Sequence, residues 1–278
     1  MNLTQSIKEA FVFPSENLKQ LAIYICFSIV VSIVGIGSLF SMIGSVYSGA
    51  IGVVGIILLI IGIIAGLIPL GYQISLVKSG IDGDEYAPEF SLKENLIVGI
   101  KDLIVKIVYF IIPALITAVI GILSGVPQNL TKVVTSSVES SATSSLSTNM
   151  TTTVSSTTVP PELAGQLMGS LALTVIIGLV LFIIFDILAM IADARLANTD
   201  SLGSALNIVE TFKDIGKIGY GNVIATVVLV CLIILIIQAV LTGLSVIIPF
   251  IGILSIIVTP YLLFFAKRVI GVIYSEIA

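Results

Sequence analysis

The chain has 278 residues, a net charge of −4 and a pI near 4.8; 57% of it is hydrophobic and only 10% charged, at a mean hydropathy of +1.21. A soluble domain is about half apolar and about a quarter charged, so this chain lacks the charge to cover a water-facing surface. Its acidity argues against nucleic acid as a partner. It has no His, and its two cysteines, Cys26 and Cys231, sit in apolar runs, which argues against a disulfide framework and against a zinc, haem or iron–sulfur site.

In chain order, the first residues lack the basic start, short apolar core and small-residue site of a cleavable leader, and read as structure. Ile7, Ala10 and Phe11 share a helical face with Leu3, and Phe13-Pro14-Ser15 is expected to interrupt that helix. A first apolar span covers about 18–43 and, after a Gly/Ser turn, a second covers about 51–77. The turn-rich segment 78–90 carries Asp82-Gly83-Asp84-Glu85. An EF-hand loop counted from Asp82 needs Glu at its twelfth position, where Lys93 stands, so a solvated acidic loop is the reading. Ser91-Leu92-Lys93-Glu94 is a capping box. A third span follows at about 103–124 with Pro113 inside it.

Residues 125–161 are rich in Ser and Thr and are expected to form a flexible loop, with acceptor sequons at Asn129 and Asn149. A fourth span at about 167–192 contains Asp186. A fifth at about 222–241 carries Gln238, and a sixth at about 244–270 is interrupted by Pro249 and Pro260. With the N-terminus placed inside, eleven of the twelve basic residues fall on the inner side and Lys132 alone falls outside, a strong positive-inside asymmetry. The expected protein is a multi-pass protein of the plasma membrane, with both termini cytoplasmic and the 125–161 loop extracellular.

One pattern recurs. Residues 95–102 read Asn-Leu-Ile-Val-Gly-Ile-Lys-Asp, residues 207–214 read Asn-Ile-Val-Glu-Thr-Phe-Lys-Asp, and residues 2–9 read Asn-Leu-Thr-Gln-Ser-Ile-Lys-Glu. Each has two apolar residues four apart, hence on one helical face, and each comes shortly before a long apolar segment. The fold class expected is all-α: a bundle of six transmembrane helices with three amphipathic entry helices at the cytoplasmic face. These make three helix–hairpin repeats, at 1–79, 80–196 and 197–278, in one membrane domain.

The run from Gly71-Tyr72-Gln73 through Pro88-Glu89-Phe90 to Tyr109 and Pro113, with that from Ala197 through Pro260-Tyr261 and Lys267-Arg268 to Tyr274, resembles an uncharacterised, mainly archaeal family of polytopic membrane proteins. That family is classed as a domain of unknown function. It is similar in layout to the membrane domain of some glycerophosphodiester phosphodiesterases. The resemblance brings no catalytic residues with it, and the phosphodiesterase domain itself is absent.

The candidate functional residues are few. Asp186 lies two helical turns inside Asp193, about 10 Å deeper at about 1.5 Å per residue, where an acid suggests an ion or proton pathway. Lys8, Lys101 and Lys213, one in each cassette, are candidate contacts to lipid headgroups. No catalytic, cofactor or metal residues are expected, and no enzymatic activity. The expected function is a non-enzymatic module that organises membrane lipids or binds a partner, a protein or a second copy of itself. The alternative is a small-solute transporter or channel.

Overall fold

The computed structural model describes residues 3–44, 49–144 and 160–278; Asn2, Asn149 and the rest of 145–159 lie outside them. Among the described residues every regular element is helical and there is no strand. Ten α-helices follow in order: α1 (Leu3–Glu16), α2 (Leu18–Gly44), α3 (Gly49–Asp82), α4 (Leu92–Leu123), α5 (Val126–Ser144), α6 (Pro161–Thr199), α7 (Leu202–Ala205), α8 (Ile208–Ile218), α9 (Tyr220–Ile247) and α10 (Ser255–Tyr274), with a 3₁₀ turn (Pro249–Leu254) before the last. Among the described residues six stretches are long and apolar enough to cross a membrane: Leu18–Ser41, Val53–Asp82, Leu92–Leu123, Pro161–Thr199, Tyr220–Ile247 and Phe250–Tyr274. The chain is a multi-pass membrane protein of the all-α class.

Two local expectations are corrected. Pro14 does not break α1, which carries it in its last turn. The Ser15 hydroxyl donates to the Val12 carbonyl (2.6 Å) and the Asn17 amide to that of Phe13 (2.9 Å), so side chains take over acceptors at the helix end. Residues 92–102 form the first turns of α4, continuous with the span that follows. And residues 126–144, expected as loop, form α5. Gly125, in the left-handed region at φ +81, turns the chain out of α4. Thr131 and Thr135 then bond back to the carbonyls four residues earlier, which meets their polar needs without leaving the helix.

The helices fall into two compact units, residues 1–107 with 187–278, and residues 108–186. In the first, Tyr72 is wholly buried at the centre of an aromatic cluster. Its ring centroid lies 5.8 Å from Tyr24, 5.0 Å from Phe90 and 5.7 Å from Phe264, and its hydroxyl donates to the Pro88 carbonyl at 3.0 Å. Such ring pairs add about 0.5–1.5 kcal/mol each beyond burial. The carboxamide of Asn17 ties α1 to the 83–90 loop by accepting from the Ala87 amide at 2.7 Å.

Helix α3 meets its neighbours backbone to backbone. A Cβ on Gly71 would stand 1.8 Å from the Asn95 carbonyl oxygen, and one on Gly271 of α10 would stand 2.2 Å from that of Val77. Small residues allow this contact in membranes, where apolar burial drives no association between helices. Away from this end the spans of the first unit are largely exposed, with Ile29, Val30, Ile33 and Ile36 of α2 and Ile56, Ile57 and Ile60 of α3 open on the surface. That is the surface a lipid-facing helix presents.

In the second unit, Phe110 stacks on Phe182 at 6.2 Å, Gly178 receives the Thr117 side chain, and the hydroxyls of Ser124 and Thr174 lie 3.0 Å apart. Helix α5 is held to α6 by Asn129, whose amide donates to the Gln166 carbonyl (3.4 Å) and to the Ser170 hydroxyl (3.3 Å).

Candidate functional site

The polar chemistry of the first unit gathers at one end of its spans: the start of α2, the end of α3, the start of α4, the end of α6 and the end of α10, with α1, α7 and α8. Buried there are Asn95, Asp102, Asp193, Arg195, Thr211, Asp214 and Arg268. Charges taken from water must be paired or shared, and three groupings meet that demand.

The first is centred on Arg268 of α10. Its guanidinium donates to the Ser79 carbonyl (2.6 Å) and to that of Asp84 (2.6 Å), and lies 4.4 Å from the centroid of the Phe13 ring. One side chain thus fixes the end of α3, the loop behind it and α1 through bonds that need its planar fork.

The second is centred on Arg195 of α6. It donates to the Asp214 carboxylate, to Glu210 (2.6 Å), and to the carbonyl (3.2 Å) and hydroxyl (3.0 Å) of Ser204. Asp214 also accepts from Lys217 at 2.9 Å and from the Tyr274 hydroxyl at 3.2 Å. Burial pushes the Asp214 carboxyl up, but Lys217 and Arg195 outweigh it and hold the group below the usual carboxylate range. The local sequence sets this up. Asn207 caps α8 by accepting from the Glu210 amide at 3.2 Å, and Gly219, at φ +100, ends that helix and begins α9.

The third joins α4, α6 and α10. Asp102 accepts from Lys106 at 2.5 Å, and Asp193 from Lys267 at 3.0 Å. The two carboxyl groups are neighbours and interact with each other.

Beside these groupings lies a cavity of about 540 Å³ formed by α3, the 83–90 loop, α4 and the end of α6. Its ionisable walls are Lys78, Asp82, Asp84, Glu94, Lys101 and Asp200, set against the apolar side chains of Ile74, Ile97, Val98 and Leu196. Lys101 donates to Asp200 at 2.7 Å. Asp200 is in the left-handed region at φ 51, a conformation Asp tolerates better than most residues, and it closes α6 there. The wall thus carries four acids against two lysines. Next to it, Asn95 accepts from the Ser75 hydroxyl at 3.4 Å, while its buried amide nitrogen has no partner among the described residues.

The candidates named from sequence fall in different places. Lys101 is in the cavity wall; Lys8 and Lys213 stand exposed on α1 and α8. Asp186 belongs to the second unit and is exposed on α6. Asn129 binds α6, and Asn149 lies outside the described residues. Gln238 donates to Thr259 at 3.2 Å, joining α9 to α10. Asp102, Asp193, Arg195 and Asp214 were not picked out as a site, although two of them are the closing acids of cassettes. Cys26 and Cys231 are free and exposed. Among the described residues no three acidic or Cys side chains gather as metal ligands would.

A family model described as "Protein of unknown function (DUF4013)" matches residues 54–246, so the chain belongs to that family. The match spans α3 to α9 and takes in the cavity and all of the Arg195 grouping except Tyr274. No curated protein and no solved structure matches the chain.

Proposed function

We propose that this DUF4013 member is a non-enzymatic membrane module that holds an amine-bearing lipid headgroup in the acid-walled cavity at the polar end of its first unit. One observation carries the reading. The cavity combines an excess of carboxylates, a lysine at Lys78 and an apolar wall, at the end of spans whose outer surfaces are bare and apolar. A zwitterionic phospholipid has the complementary parts: an ammonium for Asp82, Asp84 and Glu94, a phosphate for Lys78, and acyl chains that continue along the spans.

The basic asymmetry of the loops supports placing this end at the cytoplasmic face. Lys8 and Lys213, exposed on helices near that face, then extend toward phosphates of the surrounding leaflet, each adding about 1 kcal/mol of attraction where the leaflet is anionic. The archaeal character and the likeness in layout to the membrane domain of glycerophosphodiester phosphodiesterases remain resemblances of sequence; both are compatible with a lipid-facing module. The second reading, a small-solute transporter or channel, draws on Asp186, an acid within an apolar span.

The test is mass spectrometry of the protein purified in native lipid. Retained lipids with a primary or quaternary amine, lost in the Asp82→Asn/Asp84→Asn/Glu94→Gln variant, are the expected result. Retention of the same lipids by that variant, or of acidic lipids alone, overturns the assignment.

A further inference from the structure

The facing carboxyl groups of Asp102 and Asp193 are not explained by the cavity or by the ion pairs alone. Both side chains are buried, at 0% and 4% exposure. In each, Oδ2 accepts from a lysine, Lys106 for Asp102 and Lys267 for Asp193, while Oδ1 is buried with no partner among the described residues. The result is a row of four groups, lysine–carboxyl–carboxyl–lysine, running from α4 through α6 to α10. Two ionised carboxylates this close in a medium of low dielectric repel strongly, and each would leave an acceptor unmet. Carboxyl pairs elsewhere resolve this conflict by holding one proton between them.

We infer that Asp102 and Asp193 form a proton-binding site, in which a single shared proton bridges the two Oδ1 atoms and fastens α4 to α6. The proton comes from solvent and adds to one carboxylate as a hydrogen-bond donor to the other; no bond is broken. The charged and titratable groups around the pair are Lys106 on α4, Lys267 on α10, and Tyr24 on α2, which faces Lys106. Arg195, two residues beyond Asp193 on α6, is occupied by Asp214 and Glu210. The lysines hold the Oδ2 atoms and lessen the repulsion, but neither supplies a donor to an Oδ1. A small cation is the competing occupant, and the experiment separates the two.

The test is infrared difference spectroscopy of the full chain in lipid at neutral pH, with aspartate isotopically labelled. A protonated-carboxyl C=O band is expected that moves on exchange into D₂O, is insensitive to Na⁺ or Li⁺, and disappears in Asp102→Asn and in Asp193→Asn alike. A wild-type spectrum without the band, or a band that survives either substitution, overturns the proposal; so does its removal by Na⁺, which would assign the gap to a cation. Thermal unfolding gives a readout that does not depend on the band. An asparagine amide donates permanently to the remaining carboxylate, so Asp193→Asn should remove one proton's worth of pH dependence. Wild type should gain stability over Asp193→Asn as pH falls through the pair's titration. An unchanged difference between the two across that range contradicts a shared proton. If the variants fail to fold, loss of the wild-type band on alkaline titration of the folded protein is the expected result, and its persistence overturns the proposal.

Discussion

Gly71 and Gly99 set α3 and α4 in backbone contact. A methyl group on Gly71 would stand 1.8 Å from the Asn95 carbonyl oxygen, and one on Gly99 would stand 1.9 Å from that of Leu67. The Gly71-Tyr72-Gln73 motif is thereby accounted for residue by residue: Gly71 makes the contact, Tyr72 fills the core and bonds to Pro88, and Gln73 donates to the Tyr24 hydroxyl at 3.3 Å.

Gly71→Ala and Gly99→Ala are therefore expected to destabilise the protein. Overpacking a filled contact costs about 1–3 kcal/mol, and the atoms met here are backbone, which cannot swing aside. Gly35 and Gly37 of α2 have nothing within 4 Å of an added Cβ. Their replacement by Ala should be neutral or stabilising, by up to about 1 kcal/mol. Thermal unfolding in a fixed detergent compares the four variants; equal effects would remove the close contact as a determinant of the fold.

Arg195 and Asp214 predict a loss of stability in acid. The Asp214 carboxyl is held below its ordinary range, so the stability it contributes is fully present above the unfolded carboxylate range and is lost as pH falls through the lowered folded value. Asp214→Asn should flatten that acid limb of the unfolding curve. Arg195→Met, which leaves the buried Asp214 carboxylate to Lys217 and Tyr274 alone, should cost about 1.5–3 kcal/mol at neutral pH. An acid limb as steep in Asp214→Asn as in wild type would show that the transition belongs to other groups.

Topology follows from the basic residues. With Cys26 and Cys231 replaced by Ala, single cysteines at the exposed positions Gln128, Tyr86 and Ser201 report side directly. An impermeant thiol reagent added to intact cells should label the first and neither of the others. Labelling of Ser201→Cys from outside would invert the account, and with it the face at which the cavity opens.

The six spans were legible because hydropathy over such lengths has one physical meaning in a chain so poor in charge. The buried acids were not, for a reason visible at Asp102. A helical periodicity separates a polar face from an apolar one but does not say which faces the medium. In water the polar face looks outward; in a membrane bundle it turns inward, and so Asn95 and Asp102 are buried while Ile97, Ile100 and Ile104 are exposed. The cassette's small position is the part that reads the same way in each copy: Ser6, Gly99 and Thr211 are all buried. Its closing acid does not, since Asp102 and Asp214 are buried and Glu9 is exposed. Helix α5 was missed because Ser and Thr have low helix propensity, and the bonds that offset this, from Thr131 and Thr135 to their own helix and from Asn129 to α6, appear in no local composition.

Photo-crosslinking tests the central claim most directly, that the acid-walled cavity holds an amine-bearing headgroup. The protein is reconstituted with a phospholipid carrying a photoreactive group beside its headgroup amine, and with a matched lipid whose headgroup lacks the amine. The account predicts adducts concentrated on peptides covering residues 74–101 and 196–200 with the first lipid, and their loss with the second and in the Asp82→Asn/Asp84→Asn/Glu94→Gln variant. Adducts spread evenly along the exposed faces of all six spans, or equal yields from both lipids at the cavity, would contradict it.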